Sequence, residues 1–159
     1  MSPIRAVALA AVWRGHELLV QYFGDEVAGE AFWRLPGGGI EFGEFGHEAA
    51  LREIKEELDA DLVGLQHLAT IENVFTFRGE GGHEIVFAYE ATFTDPALYD
   101  LETVPATESN GETFTLTWRT IPHMRDSAAK FVPPGLLDIL EDRLRTRHGN
   151  KPASEERTS

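Results

Sequence analysis

Residues 4–13 carry apolar side chains on both alternating faces, the pattern of a strand covered on both sides. Gly15-His16 predicts a turn and 17–23 a returning strand, so the two make a hairpin. A polar loop follows over 24–30, then a short strand over 32–35 that Pro36 and three glycines stop. From 45 to 58 the period becomes helical. With Glu53 at zero and a step of ~100° per residue, Ala50, Ile54, His47, Leu58 and Leu51 fall between roughly 60° and 160°, the expected core stripe. Further strands are predicted over 62–73 and 83–93, with the turn between them at 79–82. Residues 95–111 read as polar and irregular. Over 113–119, Phe114, Leu116 and Trp118 alternate with threonines. After Pro133-Pro134, Leu136, Leu137, Leu140 and Leu144 recur at helical spacing and predict a helix over 135–146. One domain over 1–147 is expected, with a polar tail over 148–159 that frays. Strands with two helices, and no internal repeat, predict an α/β sandwich around a mixed sheet.

Charge narrows the partners. The 159 residues hold 14 Lys and Arg against 27 Asp and Glu, a net charge of −13. Duplex DNA or RNA needs clustered cations on its partner, and an anionic membrane repels such a surface. Neither is expected here. If the substrate is an anion, a divalent cation must mediate the encounter. With no cysteine there is no thiolate metal site and no cysteine nucleophile. The longest early apolar run, 6–13, is too short to span a bilayer, so a cytoplasmic protein is expected.

The helix over 45–58 separates its charges. Glu44, Lys55, Glu48, Asp59 and Arg52 share an arc of mixed sign, with Glu48–Arg52 and Lys55–Asp59 as i,i+4 pairs. Glu56, Glu53 and Glu57 share another arc, at roughly 300°, 0° and 40°, with no cation inside it. Like charges three or four apart cost about 0.2–0.5 kcal/mol each on an exposed helix. Three such carboxylates suit a hard divalent cation that takes oxygen ligands and keeps waters for exchange with phosphate. A Glu-rich helix is also ordinary in an acidic protein. What favours a site is Leu35-Pro36-Gly37-Gly38-Gly39 at a fixed distance before it, where backbone can approach a ligand without intervening side chains.

Gly38, Glu44 and Arg52-Glu53-Ile54-Lys55-Glu56-Glu57 stand at the spacing G-x5-E-x7-R-E-U-x-E-E, which resembles the signature of the Nudix (MutT-like) hydrolases. The match covers 38–60. Asp59 and Ala60 depart from it, standing where the family has Gly and a larger aliphatic residue. The resemblance implies an α/β/α sandwich with a mixed β-sheet, and hydrolysis of nucleoside diphosphates linked to another moiety with Mg²⁺ or Mn²⁺. It implies metal-binding and catalytic carboxylates at Glu53, Glu56 and Glu57, with Arg52 orienting a catalytic glutamate. Glu44 would brace the turn before the helix, and the Gly37 carbonyl would serve as a further metal ligand. The expected partner is a small nucleotide, with a homodimer left as an option.

Other assignments rest on position alone. Gly38 and Arg34, beside the glycines, are candidates to meet phosphate; Arg34 is alternatively an ordinary surface charge. Phe75, near a strand end, is the candidate for stacking a base. His47 is expected in the core, and His83 is either a turn residue or a substrate contact. The resemblance also implies an acidic residue from outside the motif, as metal ligand or general base, and it is sought among the acids of 95–112. Glu112 leads the face of Phe114, Leu116 and Trp118, so parity selects it over Glu108, which adjoins the turn-forming Ser109-Asn110-Gly111. The alternative is that Glu112 merely ends a solvated loop. No H-E-x-x-H or G-x-x-x-x-G-K-[ST] sequence occurs. A nucleotide-binding sensor without turnover, or an acidic structural domain, are the competing functions.

Overall fold

A computed structural model describes residues 2–24 and 27–149. Its centre is β1 (Arg5–Arg14), which pairs in parallel with β6 (Glu80–Phe93) along one edge. On the other side β1 divides its pairing. Its first half meets β4 (Gly37–Gly39), and its last residues meet β2 (Glu17–Phe23), both antiparallel. Beyond β2 lie β8 (Thr113–Thr120) and β3 (Phe32–Arg34); β7 (Thr103–Thr107) pairs β8, and β9 (Lys130–Phe131) runs parallel to β3. β5 (Leu62–Phe77) pairs β6 and forms the outer edge.

The two apolar faces of β1 explain the layers. Val7, Leu9, Ala11 and Trp13 pack with α2 (Ile121–Asp126) and α3 (Leu136–Gly149) through Ile121, Met124, Leu136 and Leu140. Ala10 and Val12 pack on the other side with Ile54 and Leu58 of α1 (Gly46–Leu58), and Ala8 with Ala49 and Ala50. Helices thus cover both faces of one mixed sheet, as an α/β/α sandwich requires.

Several expectations shift. The glycines of 37–39 are a paired strand and not a free loop. The hairpin turn lies at Arg78–Gly79, both at positive φ (52° and 78°), in a two-residue connection. Gly81 and Gly82 therefore sit inside β6, and both strands run longer than predicted. β7, β9, α2 and a 3-10 turn at Pro96–Asp100 were not foreseen. β7 reads as irregular in sequence because of Pro105, which an edge strand tolerates, since β7 pairs only β8. α3 runs three residues past its expected end, and residues 150–159 of the expected tail lie outside those described.

The core stripe of α1 is rotated toward the carboxylates. Ala49, Ala50, Ile54 and Leu58 are buried, while His47 and Leu51 are exposed. His47 stacks on Phe45 and is not a core residue. The helix ends on Asp59 in the left-handed region (φ 52°, ψ 41°), its N–H bonded to the Lys55 carbonyl. Aspartate fills the position that glycine usually takes at such an end.

Candidate active site

The entry to α1 is fixed by side chains that close on the backbone. Glu48 Oε1 accepts the Phe45 N–H at 2.9 Å, so Glu48 caps the helix and does not pair with Arg52 as its spacing suggests. Arg52 is a hub instead. Its Nε and Nη2 donate to the two oxygens of Glu44 (2.7 and 2.9 Å), and Nη2 also reaches the Gly39 carbonyl (2.9 Å). Nη1 donates to Glu53 (3.0 Å) and to Glu56 (3.2 Å). Every guanidinium nitrogen is engaged, which fixes the glycine strand, the turn and two carboxylates together. The bond from Arg52, then that from the Glu41 N–H, hold the Glu44 carboxyl down to about 2.

The glycines are required by contact. A Cβ on Gly38 would lie 2.5 Å from the Glu53 carboxylate, and one on Gly37 would lie 2.0 Å from the Ala8 carbonyl oxygen. Gly37 also has φ +147°. Gly38 is thus the floor on which Glu53 rests. By the alternation of an antiparallel strand, the Gly37 carbonyl points the same way as that of Gly39, away from β1 and toward the side where Arg52 binds.

Glu53, Glu56, Glu57, Arg34 and Glu108 line one cleft of about 450 Å³ with the glycine strand as a wall. Burial first, then the Glu53 charge, raise the Glu57 carboxyl to about 7, and Glu108 adds to the rise. Arg34, reaching in from β3, makes no hydrogen bond or ion pair among the described residues. Burial lowers its pKa against the pull of Glu84, Glu57 and Glu53, with Arg5 opposing them.

Glu112 is exposed and does not line this cleft; Glu108 does. The two bracket the β7–β8 turn, the Glu108 N–H bonding to the Glu112 carbonyl at 2.8 Å. Parity is informative, but on the other strand. Val104 and Ala106 are the buried residues of β7, and Glu108 continues their alternation. Phe75 does not border the glutamates. It lines a second cavity, with Asn73 and Glu84, that also touches Arg34. Neither Asn73 nor Glu84 stands out in sequence. His83 bonds Glu72 at 2.9 Å at the surface.

Among the described residues no three acidic or imidazole groups already surround one point as a metal cage. Glu56 is turned to Arg52, and Glu57 shares a hydrogen bond with Glu53. The oxygen donors nonetheless fit Mg²⁺ or Mn²⁺, since the Glu53 charge stands close enough to Glu57 to oppose its ionisation.

A folded-state pKa above the ordinary 4.5 means that the fold holds the Glu57 proton more tightly than the unfolded chain does. That contribution to stability is full below about 4.5 and is lost as pH rises through about 7. Thermal melting of metal-free protein should therefore show wild type losing ground to Glu57→Gln across that window. A constant difference would show that Glu57 ionises normally.

A NUDIX domain profile matches residues 3–138. Among solved structures the chain is similar to a MutT NUDIX hydrolase from Burkholderia pseudomallei, with 23% identity over 76% of this chain and 86% of that one and a TM-score of 0.56. It is similar to a NUDIX hydrolase from Nitrosomonas europaea at 18% identity over 96% and 95%, with a TM-score of 0.63. A MutT protein from Bacillus halodurans matches at 18% identity over 89% and 82%, with a TM-score of 0.59. These likenesses carry the fold. No helix among the described residues is long and apolar enough to cross a membrane. With a profile that spans most of its length, and a glycine strand set against a helix of glutamates, the chain belongs to the Nudix family, hydrolases of nucleotide pyrophosphate bonds.

Proposed function

We propose that this protein is a Mg²⁺- or Mn²⁺-dependent pyrophosphohydrolase that cleaves a nucleoside diphosphate linked to another moiety by attack of water. The observation that carries this is the Glu53–Glu57 pair, half-buried against Gly38 and sharing a cleft with an Arg34 guanidinium that no side chain hydrogen-bonds among the described residues. A bound divalent cation supplies charge screening of the phosphates and a more acidic water. Glu53 and Glu57 would hold it, joined by Glu56 once that side chain leaves Arg52, and by the Gly37 carbonyl. Arg52 keeps the Glu53 carboxylate aimed into the cleft. Arg34 meets a non-bridging phosphate oxygen, where its guanidinium finds a hydrogen-bond acceptor. Glu108 takes a proton from water as the new P–O bond forms and the bridging P–O bond breaks. A sensor without turnover could dispense with a glutamate, whereas all three line the cleft.

The test is a screen of nucleotides with Mg²⁺ or Mn²⁺, scored by product masses. Hydrolysis should require added metal and stop in EDTA. Mg²⁺ should also raise thermal stability, by about 2.7 kcal/mol at a hundred times its Kd. Turnover in verified metal-free buffer would contradict the proposal. Tight nucleotide binding with no product would favour the sensor.

A further inference from the structure

An edge strand leaves the N–H and C=O groups of one side without a neighbouring strand. This sheet ends on β9 at one side and on β5 at the other. The β9 edge is two residues long, and β7, which pairs only β8, carries Pro105. Shortness and proline both keep a further strand away. The first half of β5 is protected too. Gly64 stands at φ 67°, and the register with β6 shifts twice before Ala69.

From Ala69 onward that protection ends. Residues 69–77 pair without a break with residues 80–88. This stretch, ATIENVFTF, contains no proline and no lysine, and among the described residues no strand takes its outer edge. Its one charge is Glu72. Val74 stands near its middle, 71% exposed, and Phe75 beside it is 37% exposed. A single exposed valine is ordinary. On a regular, open edge it becomes part of a template for another strand.

The stretch is also complementary to itself. Across an antiparallel pair, side chains meet those directly opposite, and long ones reach the diagonal neighbours. A two-fold axis at Val74 sets that valine against its own copy, Ile71 against Phe77 and Glu72 against Thr76. It places Glu72 diagonal to Arg78 of the second copy. Glu72 bonds His83 at 2.9 Å yet remains 65% exposed, and Arg78 is exposed at the hairpin tip. An axis at Glu72 would instead set two glutamates face to face. On a chain of net charge −13 most approaches of two copies bring like charges together, whereas this one brings opposite charges together. The joined sheet would end on β9 at both sides, so association closes at two copies.

We infer that the outer edge of β5 pairs with a second copy of this chain, antiparallel about Val74, so that one sheet runs through a dimer. The inference goes beyond the proposed activity and does not depend on it.

Sedimentation or light scattering across a range of protein concentration tests it. Wild type should rise from the monomer mass to twice that mass and stop there. Val74→Lys should stay monomeric, because two ammonium groups would meet at the axis. Val63→Lys, on the bulged part of β5, should dimerise as wild type does. Glu72→Arg should weaken the dimer by about 10-fold, and adding Arg78→Glu to it should restore the affinity. Circular dichroism checks the fold of each variant; if Val74→Lys does not fold, the exchange of Glu72 and Arg78 still decides. A wild type that stays monomeric would leave this edge to a strand of another protein and overturn the inference. A mass that climbs past two copies, a dimer that survives Val74→Lys, or an exchange that restores nothing would each overturn it as well.

Discussion

Glu108→Gln is expected to lower kcat by ~10²–10⁴-fold at saturating Mg²⁺. Glu112→Gln should leave it nearly unchanged. The contrast is sharp because the residues lie at the two ends of one turn and are joined by a backbone bond. Loss of turn structure would affect them alike. Only Glu108 lines the cleft of the motif glutamates, close enough to oppose the ionisation of Glu57. Steady-state kinetics across pH for both variants is the measurement. A silent Glu108→Gln beside a crippled Glu112→Gln would return the role to the residue that strand parity first selects.

The second large effect is expected at the helix. Glu53→Gln and Glu57→Gln should each lower kcat by ~10²-fold or more with the fold intact, because each removes a charge that the proposed cation site requires. Lys55→Gln is the control. Lys55 lies on the same helix but pairs outward with Asp59 at 3.4 Å and Asp61 at 3.7 Å, away from the cleft. Equal losses at Lys55 and Glu57 would mean that the helix presents another face to substrate. Thermal melting of each variant separates a catalytic loss from an unfolded one.

What was legible in sequence had a period long enough to show. The double-sided apolar run of β1, the alternation of β8 and the helical repeat of α1 each extend over seven or more residues. The motif spacing likewise singled out Gly38, Glu53, Glu56 and Glu57, which line one cleft, and Arg52, which ties two of those glutamates to Gly39. Elements of a few residues were not legible, because their partners are far away in the chain. β9 has two residues and exists only through its pairing with β3. Missing β7 had a chemical consequence, since its alternation is what places Glu108. The rotated stripe of α1 misled for another reason. Apolarity alone puts His47 with Ile54, but Glu53 and Glu57 turn inward because Gly38 leaves room for a carboxylate there. The Glu48–Arg52 pair lost to competition: Glu48 found an unpaired N–H at the helix start, and Arg52 found Glu44.

The division of β1 between two sets of neighbours also bears on how the protein reaches its native state. Its parallel partner, β6, pairs residues about eighty positions further along the chain, so the pairing closes a long loop before it is rewarded. Such non-local topology slows folding. The glycine strand on which Glu53 rests docks on the same strand across only about thirty residues, so that closure costs less chain entropy than the pairing with β6.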